Sequence, residues 1–229
     1  MCGRYSISET LSNLRTQFGF TNSINLQPRY NLAPTQDAPV VRLDDGGLWT
    51  INLLRWGVEV EGLKTKSVKG ITIINARAET INQKIFSQNA FEQRRCLVVA
   101  DGYYEWKQDN KNGQPYRIVT HKRKPFAFAG LWGLGSRCAH TGFRSENYVI
   151  ITMNANADTA HIHPRAPVIL GEDEYETWLG PDTLNALDIL NAHKNQHTQY
   201  YKVSPKVGDV RNDCAELQEC YEHPQRSLF

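Results

Sequence analysis

The sequence of 229 residues has no apolar run long enough to span a membrane and no marked excess of either charge. Its 26 lysines and arginines nearly balance 24 aspartates and glutamates, which leaves a formal charge of +2. A charge this small does not by itself indicate nucleic-acid binding, although it is compatible with a local basic groove. Internal repeats, low-complexity segments and an apolar leader are also missing. We therefore expect a globular cytoplasmic protein with no membrane partner.

Cysteine is infrequent and odd in number. The five cysteines are Cys2, Cys96, Cys138, Cys214 and Cys220. They are unevenly spaced, and none belongs to the paired CxxC pattern of a structural zinc site. We therefore predict free thiols in a reducing compartment, no metal site and no cofactor.

Short apolar and β-branched stretches occupy the middle of the sequence and predict strands. They are residues 49–56, 71–76, 96–107, 115–121, 126–133, 148–154 and 199–205. Helical periodicity appears at 8–18, with Ser8 as the predicted N-cap and Ile7 as a hydrophobic staple, at 78–95, and as a pair over 173–193. Tight turns between strands favour antiparallel pairing. We predict an α+β fold in one domain, 1–229, with a twisted, barrel-like antiparallel sheet, peripheral helices and a peripheral tail from about residue 214.

The second residue is a cysteine. If the initiator Met1 is removed, Cys2 carries a free α-amine and a thiol on adjacent carbons. The reference pKa values of these groups are about 8 and about 8.5, so both nucleophiles are partly available near neutral pH. The alternative is an unremarkable residue on a loose chain end.

Two further stretches place polar groups among apolar ones. Glu105 stands between aromatic residues in GYYEW, where burial would raise its pKa and suit it to general acid work; the alternative is an outward-facing strand glutamate. Asn75 and Arg77 alternate in INAR, so in a strand they share one face and could serve one ligand. The alternative is a cap or turn pairing at the start of the following helix.

Histidine and basic clusters give weaker signals. His161 and His163 are two apart, so an extended chain would aim both the same way, but no third metal ligand is evident. His163 is the better candidate, because Pro164 restrains its backbone and Arg165 follows to attract an anion. We interpret Arg94, Arg95 and the run 121–124 as solvated turns.

Seven stretches together resemble one family. In order they are MCGRYS, RYNLAP, RWG, INARAET, ADGYYEWK, the segment from IITMNAN to IHPRAPVIL, and VGDVRND, spanning residues 2–213. This set resembles the SOS response-associated peptidase (SRAP) family. The resemblance implies a covalent trap for abasic sites in single-stranded DNA, built on a twisted sheet with peripheral helices. Its catalytic residues would be Cys2, Asn75, Glu105 and His163.

The same resemblance implies a set of DNA-facing residues. These are Arg4, Asn31, Pro34, Arg77, Thr152 and Arg165. The stretch after RWG departs from the family, since it carries Glu59 and Glu61 where members commonly have a proline and tryptophans beside the DNA. Pro164 likewise replaces an acidic residue often found after the family's histidine. We expect a monomer that binds abasic single-stranded DNA, with replication forks or single-strand/double-strand junctions as further partners.

The chemistry of an N-terminal cysteine agrees with this function. An amine captures the open aldehyde of an abasic sugar as a Schiff base, and the adjacent thiol can then close a thiazolidine ring. Glu105 would assist sugar opening, Asn75 would orient the amine, and His163 would move protons, with strand cleavage or crosslink reversal as side reactions. Two alternatives stay open: a cysteine peptidase acting on its own N-terminus or on other proteins, and a non-catalytic single-stranded DNA-binding module.

Overall fold

The computed structural model describes residues 2–60, 71–83, 85–107, 113–134, 146–192 and 198–222. Its strands are β1 Tyr5–Ile7, β2 Arg29–Leu32, β3 Asp37–Leu43, β4 Trp49–Trp56, β5 Val58–Val60, β6 Ile71–Ile73, β7 Asn75–Arg77, β8 Arg95–Ala100, β9 Gly102–Trp106, β10 Pro115–Thr120, β11 Phe126–Trp132, β12 Asn147–Asn154, β13 Arg165–Pro167, β14 Ile169–Leu170 and β15 Thr198–Lys202. The described α-helices are α1 Leu11–Phe18, α2 Ile85–Gln93, α3 Tyr175–Leu179 and α4 Thr183–Ala192. The predicted α+β class is confirmed.

The larger sheet is strongly twisted. Its strand order is β13-β12-β4-β3-β8-β11-β14, β7 also pairs with β12, and an additional β11–β12 pairing makes the sheet bend back on itself. Most pairs are antiparallel as predicted, but β12 runs parallel to both β4 and β7. These parallel pairs join strands far apart in the sequence, which turn signals between neighbouring strands do not reveal.

The candidate site lies on a second, five-stranded sheet of order β15-β10-β9-β1-β2. Tyr5 of β1 packs against Trp56 and Phe128 of the larger sheet, with ring centroids 5.1 and 5.8 Å away. The apolar core therefore lies between the two sheets. The opposite face of the smaller sheet is covered by the chain end, where Leu217 is buried with Tyr104.

Two local predictions were wrong. The first helix begins at Leu11 with Thr10 as its N-cap, because the Ser8 backbone N–H and hydroxyl are both donated to Asp101 at 2.6 and 2.7 Å. The predicted helix 78–95 is a short 3-10 turn followed by α2, and its last residue already belongs to β8.

The basic clusters differ from each other. Arg95 is 6% exposed and donates to the carbonyls of Trp178 and Gly180, so its interpretation as a solvated turn was wrong. Arg94 is also buried. Residues 121–124 form the expected exposed turn.

The described cysteines and helices agree with a protein that has no disulfide and no membrane-spanning helix among the described residues. Cys2, Cys96, Cys214 and Cys220 are free thiols, as predicted, while Cys138 lies outside the described residues. None of the described helices is long and apolar enough to cross a membrane.

Candidate active site

Cys2 lies three residues before β1, the strand between β9 and β2, and is completely buried. The Asn75 side-chain amide donates to the Cys2 carbonyl at 2.9 Å, which ties residues 73 positions apart. Burial raises the pKa of the Cys2 thiol, and the carboxylate of Glu105 raises it further. The thiol is therefore neutral near pH 7, and Cys2 is an ordered core residue rather than part of a loose chain end.

Asn75 is held in place by the RWG motif. The indole N–H of Trp56 donates to the carbonyl of Ile74 at 3.0 Å, directly before Asn75. On its other side β7 pairs with β12, where Asn75 lies opposite Ile150. The Asn75 Oδ1 atom is buried and has no hydrogen-bond partner among the described residues. An acceptor of this kind, close to Cys2, is available to an amine or hydroxyl group.

Glu105 is 5% exposed, which rules out the alternative of an outward-facing strand residue. Burial raises the pKa of its carboxyl group, and the nearby His163 opposes that rise. Glu105 also contributes to the rise in the pKa of Cys2, so the two groups interact electrostatically. The protonated form favoured here is the form that a general acid requires.

His163 faces this site and His161 does not share it. His163 Nδ1 lies 3.0 Å from both the backbone nitrogen and the carbonyl oxygen of Arg165, so the backbone of residue 165 fixes the position of the ring. Residues 157–162 form a turn rather than an extended segment. The side chain of His161 therefore does not lie beside that of His163, and it packs against Tyr200 with ring centroids 4.9 Å apart. The prediction that both histidines point the same way was wrong.

Arg165, Thr152 and Arg77 lie together along β12 and its neighbours. Thr152 lies opposite Arg77 on one side and Pro167 on the other, and Arg165 Nη2 donates to the Thr152 carbonyl at 2.6 Å. Arg77 is exposed and makes no capping hydrogen bond, so β7 places it with Asn75 as a strand residue. Thr152 itself is fully buried, so its position is that of a support beneath the two arginines.

Arg4 and Asn31 occupy the other face of the five-stranded sheet. The Arg4 guanidinium donates to Asn31 Oδ1 at 2.9 Å and to the Val207 carbonyl at 2.8 Å, and lies 5.9 Å from the Trp106 ring. Asn31 is fully buried and donates to three carbonyls of the segment 207–212. The structure therefore groups these two side chains with the chain end and away from Glu105.

Pro34 is half-buried in a turn beside β2. The following residue, Thr35, has a φ of 73°, a left-handed conformation that a β-branched residue rarely adopts. The Thr35 N–H donates to the Trp56 carbonyl at 2.8 Å, which couples this turn to the strand that supports Asn75. Glu61, in the divergent stretch after RWG, lies outside the described residues, while Glu59 belongs to β5.

Sequence reasoning did not single out several supporting residues. Glu79 forms a bidentate ion pair with Arg165, with N–O distances of 2.6 and 3.0 Å. Asp101 binds Ser6 and Arg117 at 2.5 and 2.9 Å and so fixes β1 behind Cys2. Asp213 accepts the backbone N–H groups of residues 30 and 31. These three acidic residues belong to the motifs INARAET, ADGYYEWK and VGDVRND. Their hydrogen-bond partners are distant in the sequence, so the motifs alone do not reveal the contacts.

Comparison with known proteins agrees with this architecture. The chain is 35% identical to the abasic site processing protein YoaM of Bacillus subtilis (strain 168) over 97% of this chain and 100% of that protein. It is 27% identical to the abasic site processing protein YedK of Escherichia coli (strain K12), over 95% and 98% of the two chains. A crystal structure of a protein from Bacteroides thetaiotaomicron shares the fold with a TM-score of 0.77 and 23% identity, covering 96% of this chain and all of the other. Residues 1–210 match the family described as SOS response associated peptidase (SRAP), and the chain belongs to that family.

Proposed function

We propose that this protein captures abasic sites in single-stranded DNA as a covalent adduct of Cys2. The observation that carries the proposal is the position of Cys2, which is buried just before β1, accepts a hydrogen bond from Asn75 on its carbonyl and lies close enough to Glu105 for that carboxylate to raise its pKa. Relatives over nearly the full length are named abasic site processing proteins. The proposal requires that Met1 be removed, because the amine of Cys2 is otherwise part of a peptide bond.

The proposed chemistry has two steps. The Cys2 amine first adds to the open aldehyde of the abasic sugar, and loss of water leaves a carbon–nitrogen double bond. The Cys2 sulfur then bonds to that carbon, its proton passes to the nitrogen, and a five-membered thiazolidine ring closes. A neutral thiol suits this order, because it is not competing with the amine as a thiolate in the first step.

The neighbouring groups divide the proton transfers. Glu105, whose raised pKa favours the protonated form, donates a proton to the ring oxygen as the sugar opens and takes up the proton of the anomeric hydroxyl that becomes the aldehyde. It then donates this proton to the hydroxyl that leaves as water, and the proton released from the nitrogen as the double bond forms restores it. The Asn75 Oδ1 atom, buried and unpartnered among the described residues, accepts from the attacking amine. His163 relays protons through Nε2 while Nδ1 remains bound to the backbone of residue 165. A lyase side reaction, or reversal of the crosslink, would use the same two acid–base groups.

The DNA is held mainly through its phosphates. Arg77 and Arg165 lie on the same side as Asn75 and would bind phosphates next to the lesion, with Thr152 supporting them and Pro34 contacting the sugar or base edge. Arg4 and Asn31, on the opposite face, would act by holding β1 and β2 in register or by contacting DNA at the sheet edge. We further propose a monomer that acts in the cytoplasm, associates with the nucleoid when bound, and accepts forks or single-strand/double-strand junctions.

The peptidase alternative has less support at this site. A cysteine peptidase needs a thiolate activated by an adjacent base, whereas burial raises the pKa of Cys2. The Cys2 Sγ atom approaches the Arg4 carbonyl at 4.0 Å, and a carbonyl oxygen cannot serve as the activating base. A non-catalytic binding module would make no use of Cys2, and it is therefore separated from the proposal by the same experiment.

The experiment is the intact mass of the purified protein before and after exposure to abasic single-stranded DNA. We expect a mass without Met1, and a heat-stable adduct on wild type that is absent from Cys2→Ala. Cys2→Ser should form a weaker, hydrolysable Schiff base, because serine keeps the amine and lacks the thiol. Cys214→Ser is the matched control, since it removes an exposed thiol that the proposed chemistry does not use.

Two results would contradict the proposal. One is an undiminished heat-stable adduct on Cys2→Ala. The other is normal crosslinking by a variant with a bulky residue inserted between Met1 and Cys2, because that insertion locks the cysteine amine in a peptide bond. Cleavage of a protein substrate by wild type without any DNA adduct would favour the peptidase.

A further inference from the structure

A partly exposed aromatic patch is formed by the five-stranded sheet and the turn 157–162, beside the candidate active site. We name it the tyrosine patch; it consists of Tyr116, Tyr200 and His161. The ring centroids of Tyr116 and Tyr200 are 5.9 Å apart, and those of His161 and Tyr200 are 4.9 Å apart. Tyr200 is 43% exposed, so this ring does not serve the core. A surface cluster of aromatic rings next to a reactive site indicates recognition of a flat ligand.

Strand register places the tyrosine patch on the face that carries Glu105. Tyr116 of β10 lies directly opposite Glu105 of β9 on one side and opposite Lys202 of β15 on the other. Residues directly opposite each other project from the same face, so Glu105, Tyr116 and Lys202 form one row. Two strand spacings separate its ends, which is about 10 Å.

The next row follows the same rule. Tyr200 lies opposite Ile118, and Ile118 lies opposite Tyr103, which precedes Glu105 by two residues. Tyr201 shows the contrast, because it projects from the other face and its hydroxyl accepts from Arg117. Tyr200 therefore shares its face with Glu105, and its neighbour in sequence does not.

A loop makes a second connection between the site and the tyrosine patch. His163 lies close enough to Glu105 to oppose the rise of its pKa that burial causes, and two residues earlier His161 packs on Tyr200, with ring centroids 4.9 Å apart. The loop is braced by the Thr159 carbonyl, which accepts the His163 backbone N–H at 3.1 Å. Residues 161–163 thus connect the tyrosine patch to the candidate active site.

We propose that the tyrosine patch binds bases of single-stranded DNA on one flank of the abasic site, with the Lys202 ammonium facing the phosphates of that flank. This inference rests on the proposed function, because it takes Glu105 as the position of the lesion. Every base has an aromatic face, so stacking on Tyr200 and Tyr116 works in any sequence context. Exposed aromatic rings flanked by a cation are the usual form of such a platform.

The test compares the affinity of Tyr200 variants for abasic oligonucleotides with different flanks. One oligonucleotide carries about ten nucleotides on the 5′ side of the lesion, one carries about ten on the 3′ side, and one carries a single nucleotide on each side. Tyr200→Thr keeps a strand-forming residue and removes the ring, whereas Tyr200→Phe keeps the ring. Leu184→Ala is the surface control, because Leu184 is 73% exposed on α4, outside the patch.

We expect Tyr200→Thr to weaken binding about tenfold on one of the two flanked oligonucleotides, which is the range of one lost base stack. Tyr200→Phe should bind that oligonucleotide as wild type does, and so should Leu184→Ala. The inference is overturned if Tyr200→Thr binds both flanked oligonucleotides as wild type does, or loses equally on all three. It is also overturned if sedimentation shows a wild-type dimer that Tyr200→Thr abolishes, since the patch would then bind a second copy.

The two proposals fail in different ways. The covalent adduct on the oligonucleotide with single-nucleotide flanks reports only on Cys2 chemistry, and its absence from wild type would refute the proposed function. Affinity for undamaged single-stranded DNA of about the same length reports on the patch without any adduct. A Tyr200-dependent affinity there would support the patch even if the crosslinking chemistry were refuted.

Discussion

Removing the charge of Glu79 should tighten DNA binding, although Glu79 lies inside the candidate DNA surface. Its carboxylate accepts from both terminal nitrogens of Arg165, at 2.6 and 3.0 Å. The same nitrogens also donate to Asn154 Oδ1 at 3.2 Å and to the Thr152 carbonyl at 2.6 Å. A phosphate that binds the outward side of Arg165 must therefore displace Glu79.

The gain from Glu79→Gln has two parts. The partly exposed ion pair, with side-chain exposures of 15% and 44%, contributes about 0.5–1 kcal/mol that phosphate binding would lose. A displaced carboxylate left about 7 Å from the phosphate would repel it by about 0.6 kcal/mol in a water-like dielectric, and by about 2.4 kcal/mol at an effective dielectric constant of 20. Salt screening reduces the second part. We expect a net gain of about 1–2 kcal/mol, or about 5- to 30-fold in affinity.

Fluorescence anisotropy of a labelled abasic oligonucleotide, measured over a range of salt concentrations, tests this expectation. Glu176→Gln is the control, because it removes one exposed carboxylate on α3 and changes the net charge equally. The gain should be largest at low salt and should exceed that of the control. Unchanged or weaker binding by Glu79→Gln would refute the reasoning, and would mean that Glu79 positions Arg165 rather than competing with DNA for it.

Three further predictions concern stability and rate. Burial raises the pKa of Glu105, so the folded protein keeps a proton that the unfolded chain releases, and wild-type stability falls as pH rises above about 4.5. In urea melts, the stability of Glu105→Gln relative to wild type should therefore rise between about pH 4 and pH 7. The rise should be about 1.4 kcal/mol for each pH unit that separates the folded and unfolded pKa values of Glu105. The same stability difference between variant and wild type at both pH values would contradict this. Gly57→Ala should destabilise the folded protein by about 1–3 kcal/mol more than Gly47→Ala does. Both glycines have a positive φ, but a Cβ at Gly57 would lie 2.7 Å from Thr72 Cγ2, whereas Gly47 faces open space. Similar urea midpoints for the two variants would disprove the clash. In time courses of adduct formation, Glu105→Gln should slow reaction with an abasic sugar more than reaction with a ready aldehyde, while His163→Ala should slow both by about 10²- to 10⁴-fold; equal slowing of both substrates by both variants would show that the division of labour is wrong.

Most strands could be predicted from the sequence, because their signal is local. The stretch WTINLLRW alternates apolar residues and forms β4 with the predicted bounds, and GYYEW forms β9. The first helix start was missed because Asp101, 93 positions away, captures Ser8 and leaves Thr10 as the cap. A capping residue is chosen by competition among hydrogen bonds, and a distant competitor does not appear in a local pattern.

In the candidate site, too, the residue types could be predicted from the sequence, but their distant partners could not. The sequence motifs single out Asn75, Glu105 and His163. The aromatic neighbours of Glu105 predict a raised pKa, and in the structure burial of this side chain raises its pKa. The partners of the supporting residues could not be predicted. The Trp56 hydrogen bond to Ile74 and the Asp101 contacts with β1 join segments that only the folded chain brings together.

The sequence by itself determined the reactive groups of this protein: an aminothiol if Met1 is removed, a carboxyl among aromatic rings, and a histidine held before a proline. These follow from residue type and close spacing, which act over a few positions of the chain. The tertiary structure decided which groups face one another. It turned Arg4 away from Glu105 toward Asn31, paired Arg165 with Glu79, and aligned Tyr116 with Glu105 and Lys202. Those choices depend on strand register and sheet order, because side chains alternate between faces and a shift of one residue would exchange them.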